Sequence, residues 1–275
     1  MTTRSARNPH PPVSALWKAP RRSLPHHAAT LTGALHHAAS EYMQRSGRPA
    51  KVFFRADDVA MDSALNTAMF EAFIKAGVPL APALVPAWLN ADRWHALLRL
   101  TAAAPHLWAW HQHGWRHRNG QQEGKKGEFG SDRHAENKTD DILKGRDKLR
   151  RVTGNACCPL FTPPWNRMDG EALTALAAAG FRAVSRSAGA MPPAPPQLTE
   201  LPVNVDLHTR REAAPHEGWQ ALTREICAAV STGWCGIMLH HNRMNGAAAA
   251  FLTTLLVFIR DHPHLHVVDV RRYML

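Results

Sequence analysis

Four short polar clusters carry residue types that can do hydrolytic chemistry: Asp57-Asp58, His113 with His117, Pro163-Pro164-Trp165-Asn166, and His240-His241. Two imidazoles four residues apart, as in His113-Gly-Trp-Arg-His117, lie on the same side of a helical turn and can bind one cation through ring nitrogens. A carboxylate added to such a pair still leaves coordination positions open for water and substrate, which a hydrolytic metal requires. Successive aspartates on a strand point to opposite sides unless the strand ends and turns there. The two then have separate jobs, one ligating the metal while the other accepts a proton. Taken alone, Asp57-Asp58 reads equally as a cap for a helix beginning near Ser63. A histidine pair in a chain with 18 histidines also arises readily by chance, so the weight rests on the clusters occurring together.

Each cluster sits where a strand meets its following loop. Residues 1–27 contain Pro9, Pro11, Pro12, Pro20 and Pro25 among basic residues; they offer no periodic apolar face and read as a flexible tail. Helical spacing of Leu31, Leu35, Ala38 and Tyr42 opens a single domain over residues 28–275. Strands are expected at 51–55, 80–85, 107–111, 160–162, 182–185, 200–207, 236–239 and 266–270, with helices at 63–75, 92–103, 135–152, 169–178, 219–230 and 247–259. This rhythm argues for an α/β fold of parallel strands with packed helices. In an α/β barrel the C-terminal strand ends converge on one face, so clusters remote in sequence meet there. Residues 119–137 form a long Gly-, Lys- and Gln-rich loop, of a length that is more often functional than idle. Its Glu128 and Asp132 are within reach of the rim of such a site, and spacing does not decide whether they contribute.

The ordered motifs Arg55-Ala-Asp57-Asp58-Val59, His113-xxx-His117, Phe161-Thr-Pro-Pro-Trp-Asn166 and Met238-Leu-His240-His241 resemble those of the polysaccharide deacetylases, the NodB-homology carbohydrate esterases, over residue 51 to about residue 270. The resemblance implies a deformed (β/α) barrel and a metal-dependent hydrolase that removes an N-acetyl group from an amino sugar or glycan. It implies Asp58, His113 and His117 as metal ligands and Asp57 as the general base that activates the attacking water. It further implies the backbone N–H of Trp165 at the developing oxyanion and His240 as the acid that protonates the leaving amine. Asp206 resembles the acidic residue that keeps such a histidine protonated. Nitrogen and oxygen ligands suit several divalent ions, with zinc first on ligand type.

Departures accompany the resemblance. Thr162 stands where the family carries an arginine before its two prolines, which removes the usual cationic partner of the base. Arg55 precedes Asp57 by two positions, placing both side chains on one face of a strand, and is the expected substitute; otherwise it is a surface arginine. Val59 replaces a usual glycine and His241 a frequent aspartate. The alternative reading is a catalytically silent barrel that binds a glycan or metal, since loss of the family arginine can accompany loss of activity.

Composition bounds the remaining possibilities. The chain has 275 residues, of which 45% are hydrophobic, enough for a sizeable core. The longest apolar candidate, residues 247–259, is broken by Thr253 and Thr254, short of the roughly 20 residues a membrane span needs. The N-terminal stretch lacks the continuous apolar core of a secretory signal, and Cys157, Cys158, Cys227 and Cys235 show neither zinc-ribbon spacing nor a natural disulfide framework. A cytoplasmic protein is expected, acting on a sugar intermediate linked to a nucleotide or lipid at least as readily as on an exported polymer. The net charge of +11 comes without a zinc finger, helix-turn-helix or aromatic RNA-binding motif, so no nucleic-acid partner is expected. No feature specifies an oligomeric state. Trp110 is expected in the core, whereas Trp115 and Trp165 suit either packing or stacking on a sugar ring. His95, His106, His208, His262, His264 and His266 lack partners at ligand spacing and are expected to be structural or exposed.

Overall fold

The computed structural model describes residues 13–274. Nine strands, β1 (Ala50–Val59), β2 (Ala81–Leu84), β3 (His111–His113), β4 (Leu160–Thr162), β5 (Ala183–Val184), β6 (Thr199–Glu200), β7 (Val205–Asp206), β8 (Trp234–Leu239) and β9 (Leu265–Val267), form one sheet. All of its pairings are parallel, in the order β6-β5-β4-β3-β2-β1-β8-β7, with β9 alongside the start of β1. Helices α1 (Leu24–Ser46), α2 (Ala64–Ala76), α3 (Ala91–Thr101), α4 (Ala135–Thr153), α5 (Gly170–Ala178), α6 (Pro215–Ser231) and α7 (Gly246–Asp261) pack outside it. The architecture is the expected deformed barrel. Its central strand β1 is buried at eight of its ten positions, as a parallel strand covered on both sides must be.

Local chemistry sets the helix starts. Ser63, Asn90, Asp169 and Asn245 each accept a backbone N–H from the residue three positions on, at Asn66, Arg93, Ala172 and Ala248. Ser63 therefore caps α2, and Asp57-Asp58 is left free of that structural duty. Phe54, Phe70, Phe73 and Trp110 lie in the principal core, with Trp110 edge-on to Trp94, so the packing role expected for Trp110 is observed.

Three expectations need correction. The segment expected as one strand at 200–207 is split: it pairs first with β5 as β6, then with β8 as β7. Leu201 N–H donates to Val184 and Leu207 N–H to Met238, so one extended segment crosses the gap between the two ends of the sheet. Second, His113 ends β3 and His117 lies in the turn beyond, so the pair does not share a helical turn. Gly114 (φ 55°) and His117 (φ 55°) are left-handed, and a Cβ at Gly114 would lie 2.2 Å from a Glu128 carboxylate oxygen. That close approach folds the turn back over the strand end.

Third, the tail does not extend to residue 27. Residues 15–18 and 21–23 form short 3-10 turns leading into α1, whose first turn accommodates Pro25. Leu16 and Trp17 are buried. The Trp17 ring packs against Trp219 and Phe251 at centroid distances of 5.4 and 5.5 Å, and its Nε1–H donates to the Leu207 carbonyl at 3.1 Å. Two apolar side chains suffice to anchor a stretch whose prolines look like linker. The expectation for residues 1–12 lies outside the described residues. Among the described residues no helix is long and apolar enough to cross a membrane.

Trp17→Ala should cost about 3–5 kcal/mol of folding stability, read as a lower urea midpoint with unchanged slope. A loss below about 1 kcal/mol would show that this segment is not part of the folded domain.

Candidate active site

The four motifs meet at the C-terminal ends of the strands around a cleft of about 610 Å³. Asp57, Asp58, His113, His117, Trp165, Asp206 and His240 all line it. Arg55 is fully buried beneath Asp57. Between Ala56 and Val59 the register of β1 with β2 slips, and Asp58 takes a left-handed φ of 63°. This bulge turns both neighbouring carboxylates toward the cleft, where regular pleating would have sent them to opposite faces.

Asp58 Oδ1 lies 3.5 Å from His113 Nε2 and 3.2 Å from His117 Nε2. The three ligand atoms are all within 4.8 Å of one another. His113 Nδ1 donates to the Thr162 carbonyl at 2.9 Å, which fixes the tautomer and presents the Nε2 lone pair to the cleft. Both Asp58 Oδ1 and His113 Nε2 are buried and lack a hydrogen-bond partner. Buried polar atoms left unpaired in this way are costly, and a shared cation would satisfy both. The donor set therefore fits a divalent metal. Burial pushes the Asp58 carboxyl up, but the close imidazoles of His113 and His117 outweigh it and hold the group well below the usual carboxylate range.

Asp57 is organised differently. Arg55 Nε donates to Asp57 Oδ1 at 2.8 Å and Arg55 Nη2 to Oδ2 at 2.9 Å, a two-pronged ion pair. The remaining guanidinium donors reach the Ser185 hydroxyl and carbonyl, Asn166 Oδ1 and Met238 Sδ. Burial raises the Asp57 carboxyl, yet Arg55 and the neighbouring imidazoles prevail, so its pKa falls and the carboxylate stays ionised. Thr162 points elsewhere. Its hydroxyl donates to His111 Nε2 at 2.9 Å, while His111 Nδ1 donates to the Ala109 carbonyl at 3.1 Å. Burial lowers His111 to about 3, leaving it a neutral spacer below the site.

On the opposite wall, His240 Nδ1 stands 3.9 Å from Asp206 Oδ1, near enough for charge to act but beyond a hydrogen bond. Asp206 Oδ1 instead accepts the N–H groups of His208 and Thr209 at 3.0 and 2.8 Å. His208, expected to be structural or exposed, is wholly buried and its Nδ1 accepts the backbone N–H of His240 at 3.0 Å. Burial and the nearby imidazoles of His240 and His241 keep His208 neutral. His241 is also buried, and burial lowers it to about 4.

Trp165 (φ 58°) and Asn166 (φ 60°) are left-handed. The Trp165 ring lies 4.5 Å from that of His117 and borders the cleft. Trp115 does not line the cleft; Arg116 and Lys148 stand over its ring. Within the long loop, Glu128 is buried and accepts the N–H groups of Trp115 and Arg116 at 3.2 and 2.7 Å, so it holds the turn that carries His117. Asp132 bonds to the Gln122 N–H within its own loop. Asn242 Nδ2 donates to Asp58 Oδ2 at 3.4 Å. Sequence spacing missed Ser185, Asn242 and His208 and left Asn166, named within its cluster, without a role; the Asn after His240-His241 was an available signal.

No family model matches the sequence, and no curated protein matches it. The fold belongs to a known class: solved structures of polysaccharide deacetylases superpose on most of the chain. A Mycobacterium smegmatis protein assigned as a polysaccharide deacetylase gives a TM-score of 0.61 at 14% identity, covering 83% of this chain and 91% of that one. The peptidoglycan deacetylase PdaC of Bacillus subtilis gives 0.50 at 12% identity, covering 82% and 90%. A carbohydrate esterase family 4 pseudoenzyme from Bacillus anthracis also gives 0.50 at 12% identity, covering 80% and 64%. The chain is thus similar in fold to polysaccharide deacetylases, as its motifs anticipated.

Metal analysis of the purified protein, stripped and reloaded with zinc, should give one ion per chain. His113→Ala and His117→Ala should each lose it at micromolar metal, while Asp57→Asn should retain it; equal retention in all three would place the ion elsewhere.

Proposed function

We propose that this protein is a metal-dependent hydrolase that removes an N-acetyl or related acyl group from an amino sugar, with zinc the first-choice ion. The observation that carries the reading is the pairing of two orphaned ligand atoms, Asp58 Oδ1 and His113 Nε2, with a separate carboxylate, Asp57, held ionised by Arg55 in the same cleft. A bound divalent ion would supply polarisation of the amide carbonyl and would make water more acidic.

Asp57 takes a proton from the attacking water as its oxygen bonds to the amide carbon. The negative charge that develops on the carbonyl oxygen is met by the backbone N–H of Trp165, positioned by the left-handed turn after Pro163-Pro164. As the C–N bond breaks, His240 gives a proton to the departing nitrogen, and the products are a carboxylate and the free amine. Asp206 Oδ1 stands on the same wall, 3.9 Å from His240 Nδ1. Arg55 is a positioning residue: it fixes both oxygens of Asp57, and six donor contacts leave it no freedom to approach substrate. The Trp165 face suits the apolar side of a sugar ring.

The second reading is a silent glycan binder, raised by the similarity in fold to a pseudoenzyme. Against it stand Asp57 and His240, both present and both on the cleft.

Acetate release from a panel of N-acetylated amino sugars and their oligomers tests the reading. Turnover should appear with metal, vanish on chelation, and fall by a factor of at least about 10³ in Asp57→Asn. Metal without acetate from any substrate would favour the silent binder. Arg55→Ala should cut turnover by about 10² or more while the metal stays bound. Because it strands a buried carboxylate, it should also destabilise the fold by about 3–5 kcal/mol; unchanged turnover would remove Arg55 from the site.

A further inference from the structure

The cleft contains a charge pattern that the proposed hydrolysis of an amide does not need. Arg167, Arg210, Arg211 and Arg243 line it, coming from the turn after Trp165, the loop after β7 and the turn after His240. Each of the three carboxylates on the cleft faces groups other than Arg167 and Arg211. Asp57 is held by Arg55, Asp58 faces the two imidazoles, and Asp206 accepts two backbone N–H groups. Arg210 is likewise committed, to Glu212 and Glu225, and is nearly buried. Those two acids take up the negative charge near the β7 loop and leave the next residue, Arg211, exposed at the cleft.

Among the described residues, neither Arg167 nor Arg211 has a carboxylate within ion-pair distance. Arg167 donates one Nη1 hydrogen bond, to the Lys126 carbonyl at 2.8 Å, which steadies the side chain without neutralising it. Two guanidinium groups without counter-charge thus border a polar cleft from different loops. Guanidinium presents paired N–H donors that match carboxylate and phosphate oxygens, and a concave site concentrates such a field.

The geometry points to an oxyanion-bearing substrate: an acylated amino sugar carrying a phosphate or a carboxylate, gripped by Arg167 and Arg211 while its amide faces Asp57. This assignment rests on the deacylase reading for the position of the amide, but not for the anion. Neutral polymers would leave both cations unmatched. A sugar phosphate and a uronate share the chemistry the arginines recognise, and differ in charge and shape.

Calorimetric titration of the zinc-loaded full chain, as Asp57→Asn to prevent turnover, would use N-acetylglucosamine 1-phosphate, N-acetylglucosaminuronate, N-acetylglucosamine and its neutral dimer. At least one anionic probe should bind about tenfold or more tightly than either neutral sugar. Adding Arg167→Gln or Arg211→Gln should weaken that anion about tenfold and leave neutral-sugar affinity and thermal midpoint unchanged, with Arg211→Lys partly restoring it. The stronger anion identifies phosphate or carboxylate as the source.

Equal affinity for neutral and anionic sugars, no binding of any probe, or anion binding insensitive to both arginine substitutions would overturn the inference. The last outcome would mean that the anion sits on the zinc alone. Acetate release by the wild type separates the two conclusions. Anion preference without acetate from any probe defeats the deacylase reading and keeps the anion site, whereas acetate released equally well from neutral sugars does the reverse.

Discussion

The organisation of the barrel mouth depends on one buried ion pair. Taking Arg55 and Asp57 out of water costs several kcal/mol for each ion, and only near-complete hydrogen bonding offsets that cost. The guanidinium meets it by reaching Asp57 on its own strand, Ser185 beyond β5, Asn166 in the turn beyond β4 and Met238 on β8. Strand ends that would otherwise be tied only by packing are thereby held around a single charge. The same contacts keep Asp57 ionised and aimed at the cleft, so the interaction that organises the fold locally also holds the carboxylate proposed as the base. Thr162, freed from a cationic role, offers its carbonyl to His113 and its hydroxyl to His111.

Backbone strain gathers at the same place. Asp58, His117, Trp165 and Asn166 are the non-glycine residues with positive φ among the described residues, and every one lines the cleft. Asp, Asn and His tolerate that region better than most residues, whereas a tryptophan there is unusual. Each such residue stores about 1–3 kcal/mol. The restraints are visible: Glu128 accepts two N–H groups from the His117 turn, Arg55 binds the Asn166 side chain, and the β1 bulge places Asp58. Regular strands and helices would point these groups elsewhere, and the strained turns are what bring two imidazoles and one carboxylate within 4.8 Å of one another.

The wall opposite the candidate ligand triad is braced from the N-terminal segment of the described residues. Trp17 donates to Leu207 and accepts from Asn245 Nδ2, and the Ser14 hydroxyl accepts the Arg210 N–H. Leu207 and Arg210 flank His208, whose imidazole receives the His240 N–H. A segment that resembles a linker by composition is thus connected, through the β7 loop, to His240, the histidine proposed as proton donor. Buried His208 acts here as a neutral acceptor and has no need of a second ligand at metal spacing.

Much of the site is legible in the sequence because its chemistry depends on residue type. Asp57-Asp58, His113 with His117, and His240 are strong polar groups set at the ends of apolar runs, and burial of those runs forces the clusters to one face. Arg55 and Asp57 share a face because strand side chains alternate. The helix periods and the parallel sheet follow from local patterns of apolar residues in the same way. Other features required the folded chain, since they turn on contacts between residues remote in sequence. The split of the 199–207 segment between β5 and β8, the turn rather than helix between His113 and His117, and the anchoring of Trp17 all depend on non-local pairing that no window of sequence contains. Asn166 bonded to Arg55, His208 beneath His240, and Glu128 under the His117 turn are ordinary polar residues until tertiary structure buries them, because only burial makes an unpaired donor or acceptor expensive enough to dictate its partner.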